Sequence, residues 1–189
     1  MARFAAVLDA CVLYPAPIRD ALLGLASRSF YRPMWTSQIH DEWIRNLLKN
    51  RGDLTEAQLH RTRDQMDRIF EEALITDYEC LIDAIKLPDL GDRHVVAAAI
   101  RGGADAIVTF NTKDFPEETL DTHNIEVIHP DDFIRYQFDL DPSRFLKSIR
   151  DQRSRLKAPP YSQDEMISIF EEGGLIVTAD ILREYVDEF

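Results

Sequence analysis

The sequence predicts an α/β fold wound around a parallel sheet, and three features carry that expectation. A short apolar run at residues 4–8 reads as a buried strand, and residues 106–109 and 125–128 read as further strands. Segments with apolar residues at helical spacing lie between them, and strands alternating with helices favour parallel pairing through crossover connections. The run at 4–8 also ends on Asp9, and open parallel sheets bind ligands beyond the carboxyl ends of their strands.

Taken in order, Pro15 and Pro17 break the chain after the first strand, and from Ile18 onward Leu22, Leu25 and Ala26 repeat as one helical stripe. Residues 35–48 form a second helix with Ile39, Trp43 and Leu47 inward and Thr36 or Ser37 as its cap. Gly52 and Asp53 precede a third helix over residues 55–74, capped by Thr55, with Leu59, Met66, Ile69, Phe70 and Leu74 inward. After Leu87 the stretch PDLGDRHVVAAAIRGGADAIVTFNTKDF holds a turn, a small-residue helix over about 92–101, a Gly102-Gly103 stop and a buried strand. The three alanines let that helix lie close against a sheet. Beyond Tyr136 three further helices are expected, marked by Phe145 with Ile149, Met166 with Ile169 and Phe170, and Ile181 with Leu182 and Tyr185. Pro159-Pro160 and Gly173-Gly174 separate them. The expected organisation is a main domain over 1–138 and a helical extension over 139–189.

Composition narrows the function. With 45% hydrophobic and 30% charged residues, the chain belongs with folded globular proteins and not with disordered ones. No run approaches the ~18 apolar residues of a membrane span, and residues 1–7 lack a secretory signal, so a cytoplasmic protein without membrane association is expected. Cys11 and Cys80 have no CxxC spacing and read as reduced, packed thiols. The net charge of -12 is awkward for a nucleic-acid enzyme, because general affinity for phosphates comes from Lys and Arg. It suits a cation site with a basic protein partner, or simply a solubilising surface.

Four acids fall where this fold would gather them: Asp9 after the first strand, Glu42 on the second helix, Asp92 at the start of the AAA helix and Asp114 after the next strand. Carboxylates brought together repel by about 4 kcal/mol for a pair ~4 Å apart at an effective dielectric of ~20, so they need a cation or must protonate. Oxygen ligands select Mg²⁺ or Mn²⁺ over zinc, and the matching chemistry is phosphodiester hydrolysis by a metal-activated water. Simpler readings exist for single members: Asp92 as a helix cap, Glu42 as an ordinary exposed acid.

At these residues the sequence resembles the PIN-domain family, in particular its bacterial toxin ribonuclease (VapC-like) branch. VLDACVLYPAPIRDALL carries Asp9, WTSQIHDEWIRNL carries Glu42, DRHVVAAAI carries Asp92, and IVTFNTKDF carries Thr109, Asn111 and Asp114. The match covers about residues 3–136. The resemblance implies a three-layer α/β/α fold with a central parallel sheet, divalent-metal-dependent cleavage of RNA, and a small antitoxin that blocks the site. It implies Asp9 and Asp92 as principal metal ligands, Glu42 as a further ligand or water-orienting group, and Asp114 acting directly or through water. In some relatives the fourth acid occupies the position of Asn111, so the choice between Asn111 and Asp114 stays open. Thr109 would orient the acids.

Other residues have two readings each. Arg93 could hold a phosphate or pair locally with Asp89; His94 could shuttle protons or simply pack; Asp89 in PDLGD suits a turn. Arg19 opens a helix near the proposed mouth and is a candidate contact for RNA or a partner. Arg144, Lys147, Arg150, Arg153, Arg155 and Lys157 stand against one acid, Asp151, and make the extension a candidate RNA or antitoxin surface with Arg150, Arg153 and Arg155 at its centre, or a solvated helix face. A second copy of the chain is a further candidate partner. A haloacid-dehalogenase-like phosphatase would need a second Asp where Cys11 stands. The remaining rival is a PIN-fold module that binds nucleic acid or protein without catalysis.

Overall fold

Apolar runs too short for helices become the strands. In the computed structural model, which describes residues 3–156 and 160–189, β1 (Ala5–Leu8) is buried throughout. It runs into α1 (Ala10–Leu13), and α2 (Ala16–Ser27) follows. Pro15 lies in the bend between the two helices, a break of the kind expected, whereas Pro17 does not break the chain. Pro15 is the N-cap of α2 and Pro17 sits in its first turn, where a fixed φ and a missing N–H do no harm.

Then comes β2 (Arg32–Met34), a strand the sequence does not reveal, because three residues including Pro33 carry no alternation. α3 (Ser37–Asn50) starts on Thr36, whose hydroxyl accepts from Ile39 N at 3.1 Å. α4 (Glu56–Ile69) opens on a capping box between Thr55 and Gln58. It stops five residues short of the expected end. Ile69 and Leu74 are 64% and 40% exposed, not inward, because the chain leaves the helix to pair with Trp35. Trp35 N donates to Ala73 O at 2.9 Å and Ile75 N to Trp35 O at 2.8 Å, so tertiary pairing overrides helical periodicity.

Short 3₁₀ segments, Glu79–Ala84 and Leu90–Asp92, lead into α5 (Arg93–Gly102), which ends at Gly103 with φ 62°. Only glycine adopts that left-handed cap without strain. β3 (Ala106–Val108), a 3₁₀ turn at Thr112–Asp114, α6 (Glu117–Leu120) and β4 (Glu126–Ile128) complete the α/β part. The four strands form one parallel sheet in the order β2-β1-β3-β4. β1 pairs with β2 on one side and with β3 on the other, which places the reversal of strand order, the usual ligand crevice, at β1 and β3.

Four helices follow: α7 (Pro130–Leu140), α8 (Pro142–Arg155), α9 (Gln163–Glu172) and α10 (Ile176–Glu184). The architecture is thus α/β with a parallel central sheet plus C-terminal helices. Three C-terminal helices were expected past Tyr136, and α7 is the additional one.

Two compact units emerge, one of residues 1–14 and 32–128 and the other of residues 15–31 and 129–189. They depart from the expected boundary at 138, which would cut α7. The reason is the apolar stripe of α2, which packs with α8 and α9. Gln152 Nε2 donates to Pro17 O at 2.8 Å, and Arg28 pairs with Asp151. Within the same unit, buried Asp131 accepts from Val177 N at 2.8 Å, Thr178 N at 2.9 Å and Thr178 Oγ1 at 2.7 Å, capping α10 from α7. Among the described residues no helix is long and apolar enough to cross a membrane. Cys80 is exposed, unlike the packed thiol expected, while Cys11 is partly buried; both are free.

Candidate active site

Asp9 is presented by the step from β1 into α1. Its Oδ1 accepts from Ala10 N at 2.7 Å, so it is the N-cap of α1. Its Oδ2 accepts from Thr109 Oγ1 at 2.7 Å, and Cys11 Sγ lies 3.2 Å from that same oxygen. Thr109, fully buried just beyond β3, also accepts from Asn111 N at 3.1 Å. A carboxylate offers about four lone-pair sites, so three donors leave room chiefly on Oδ1. Burial, then the charge of Asp9, pushes the Cys11 thiol up to about 12, which keeps it protonated as a donor. Phe110 N donates to its sulfur at 3.3 Å.

A cavity of about 340 Å³ opens beside these groups, lined by Asp9, Glu42, Asp92 and Asn111. Ala10, Cys11, Tyr14, Asn46 and Asn50 complete its wall. Glu42, Asn46 and Asn50 are successive i, i+4 positions on α3, so one helical stripe faces the cavity. Among the described residues, no lysine or arginine is in that lining.

Asp92 lies where the Leu90–Asp92 turn becomes α5. Its carboxyl is pushed up to about 6, first by burial and then by the charges of Asp9, Asp89 and Asp114. Asp89 itself closes the turn, accepting from Gly91 N at 2.7 Å. His94 Nε2 lies 3.0 Å from Glu42 Oε1, an ion-pair distance whose angle falls short of a hydrogen bond. That histidine is buried, and its neighbour is the acid of α3.

The structure thus brings Asp9, Glu42, Asp92 and Asn111 around one cavity. Asp114 is outside the lining, though near enough for its charge to act on Asp92. Arg93 is not in the lining: its Nε donates to Leu90 O at 3.2 Å, and Nη1 is 4.0 Å from Asp83 Oδ1. Arg19, expected at a mouth open to RNA, is buried, with Nε 3.9 Å from Asp20 Oδ1. Burial lowers its pKa.

The basic stretch is also largely committed within its own unit. Arg150 donates to Glu188 O, and Arg153 donates to Tyr161 O at 3.0 Å and Phe189 O at 3.2 Å. Arg144 stacks over Phe30 at 4.3 Å and pairs with Asp141. Arg155 and Lys147 are exposed. Lys157 lies outside the described residues. The residues missed from sequence are Tyr14, Asn46 and Asn50; the four-residue spacing from Glu42 was the signal for the two asparagines.

The donor set fits a hard divalent cation by type, since the acids and Asn111 offer carboxylate and amide oxygens. The acids line the cavity without converging. Among the described residues no three His, Cys, Asp or Glu side chains meet closely enough to hold a metal ion in this conformation. The Asp92 carboxyl is raised first by burial and then by the neighbouring charges of Asp9, Asp89 and Asp114, against a smaller opposing effect of His94.

An oxygen-lined acidic cavity thus sits beside Asp9, at the carboxyl end of β1 in a parallel α/β sheet. The PIN domain family model matches residues 5–113, more than half of the chain, and the chain belongs to that family. A VapC50 C-terminal domain model matches residues 130–184. A curated protein of Mycobacterium tuberculosis (strain ATCC 25618 / H37Rv) named "Putative ribonuclease VapC50" is 53% identical over 49 residues, 26% of this chain and 29% of that protein. The matched stretch spans under a third of that relative's length. No solved structure gave a significant match.

Proposed function

We propose that the protein is a divalent-metal-dependent endoribonuclease, the toxin of a type II toxin–antitoxin pair, with its chemistry in the unit that holds the sheet. The observation that carries the metal-dependent part is the gathering of Asp9, Glu42 and Asp92 around one oxygen-lined cavity, where burial and then the charges of Asp9, Asp89 and Asp114 raise the Asp92 carboxyl to about 6. A divalent cation relieves that repulsion. Asp9, Asp92 and Glu42 would hold Mg²⁺ or Mn²⁺, with Asn111, which lines the cavity, or Asp114 completing the set. Bound there, the ion supplies charge neutralisation and an acidified water for hydrolysis of a phosphodiester.

The chain's own groups orient and limit that site. Thr109 and Cys11 occupy Asp9 Oδ2 and so aim the free capacity of Oδ1 outward. Asn46, Asn50 and Asn111 make much of the remaining wall neutral, which lets a phosphate approach without added repulsion. RNA as the substrate is supported by the name of the relative, and the toxin role by the family resemblance. The net charge of -12 is suited to a small basic antitoxin.

Purified protein should cut single-stranded RNA with Mg²⁺ or Mn²⁺ and stop in excess EDTA, and Asp9→Asn or Asp92→Asn should abolish cutting in a folded protein. Cleavage that survives chelation or either substitution would overturn the metal assignment. Folded protein that binds RNA yet never cuts it points instead to the non-catalytic module. For the toxin role, induced expression should arrest growth, and a small protein encoded beside it should relieve the arrest.

A further inference from the structure

We infer that Tyr14, Asn46 and Asn50 form a base-reading subsite beside the acids, which receives an unpaired nucleobase of single-stranded RNA next to the cut phosphate. The inference rests on the ribonuclease reading and deepens it. The cavity has two chemically different ends. One is anionic, with Asp9, Glu42 and Asp92; the other offers amides and one aromatic ring. Asn46 and Asn50 lie one and two helical turns beyond Glu42 on α3, so the neutral wall extends roughly 12 Å from the acidic residue at ~1.5 Å per residue.

An amide is a poor ligand for a phosphate but a good reader of a base, because it offers a donor and an acceptor side by side. Tyr14 supplies a ring face, and unstacked bases in single strands are held by stacking on aromatic side chains. The two act as one unit here. Asn50 Nδ2 donates to Tyr14 Oη at 3.2 Å, which fixes the ring relative to the helix. With no Lys or Arg among the described residues of the lining, affinity on this side of the cavity comes from stacking and hydrogen bonds rather than from charge. A duplex cannot offer its stacked base to such a wall, so the substrate segment is single-stranded.

Two measurements test this. The first uses a pool of randomised single-stranded RNA cut with Mn²⁺, with product ends sequenced. Wild type should show a base preference beside the cut, and Asn46→Ala and Asn50→Ala should each relax it by about ten-fold in relative rate. The second is binding of short single-stranded RNA to the cleavage-blocked Asp92→Asn protein. Added Tyr14→Ala should weaken binding by about ten-fold, whereas Tyr14→Phe, which keeps the ring, should retain most of it. Wild type that cuts without preference, or substitutions that leave both preference and affinity unchanged, would overturn the subsite and leave the nuclease reading standing. Wild type that cuts no RNA removes both. Thermal melting of each variant separates lost recognition from lost folding, and Asn46 and Asn50, being exposed, should not move it.

Discussion

The indole N–H of Trp43 donates to Nδ1 of His40 at 2.9 Å, so the neutral ring must carry its own proton on Nε2, which faces Asp67 Oδ1 at 3.1 Å. Trp35 Nε1 donates to the same carboxylate oxygen at 2.8 Å. A partly buried relay therefore ties α3 to α4, and it works with only one charge state of His40.

The pH dependence follows from that geometry. Burial lowers the His40 pKa below 6.5, against the opposing pull of Asp67 and Asp41. Below pH 6.5 the unfolded chain takes up a proton that folded His40 resists, so this contribution to stability is full above 6.5 and declines as pH falls. Trp43→Phe should cost about 1–3 kcal/mol at pH 7.5 by orphaning a buried nitrogen. Urea unfolding at pH 7.5 and 5.5 checks both claims, and an unchanged midpoint in the variant would discount the relay.

Thr109→Val should preserve the fold and weaken cation binding. The substitution keeps shape at a fully buried position but removes the hydroxyl that donates to Asp9 Oδ2 at 2.7 Å. Loss of a group that orients a metal ligand costs roughly 10- to 100-fold in metal affinity. Calorimetric titration with Mn²⁺ reads this directly, and wild-type affinity in Thr109→Val would deny that Thr109 positions Asp9.

Asp92→Asn should stabilise the metal-free protein at neutral pH. A carboxyl raised from 3.8 to about 6 gives the fold stability at low pH that is lost as pH climbs through that window, so ionised Asp92 opposes folding at pH 7. Because the group is only partly buried, solvent screening reduces the gain to about 1 kcal/mol. Melting in EDTA should rise for the variant, and added Mg²⁺ should stabilise wild type more than Asp92→Asn. A lower melting temperature for the variant in EDTA would contradict the repulsion.

Arg153→Ala, and to a lesser degree Arg150→Ala, should loosen the C-terminal residues without changing the salt dependence of RNA binding. Both guanidinium groups are spent on backbone carbonyls of Tyr161, Glu188 and Phe189. Hydrogen exchange at residues 185–189 should accelerate while log affinity against log salt keeps its slope. A slope reduced by roughly 0.7 for either substitution would restore these arginines as phosphate contacts.

The sequence by itself determined the sheet's strands β1, β3 and β4 and the helix α5, because those signals are local: short stretches rich in apolar residues and a Gly-Gly stop. It also singled out Asp9, Glu42 and Asp92, which the fold places around one cavity. It could not determine β2, whose three residues acquire strand character only by pairing with β1. Nor could it stop α4 at Ile69, since the pairing partner Trp35 is far away in sequence. Arg19, Arg150 and Arg153 read as available charges, but whether a long cation meets solvent or a carbonyl depends on what folds over it. The same holds for Tyr14, Asn46 and Asn50, ordinary polar residues until α1 and α3 place them around one cavity with the acids. Chemistry carried by residue type at a strand end is written locally; the direction a side chain finally faces is set by distant segments, and only the tertiary structure decides it.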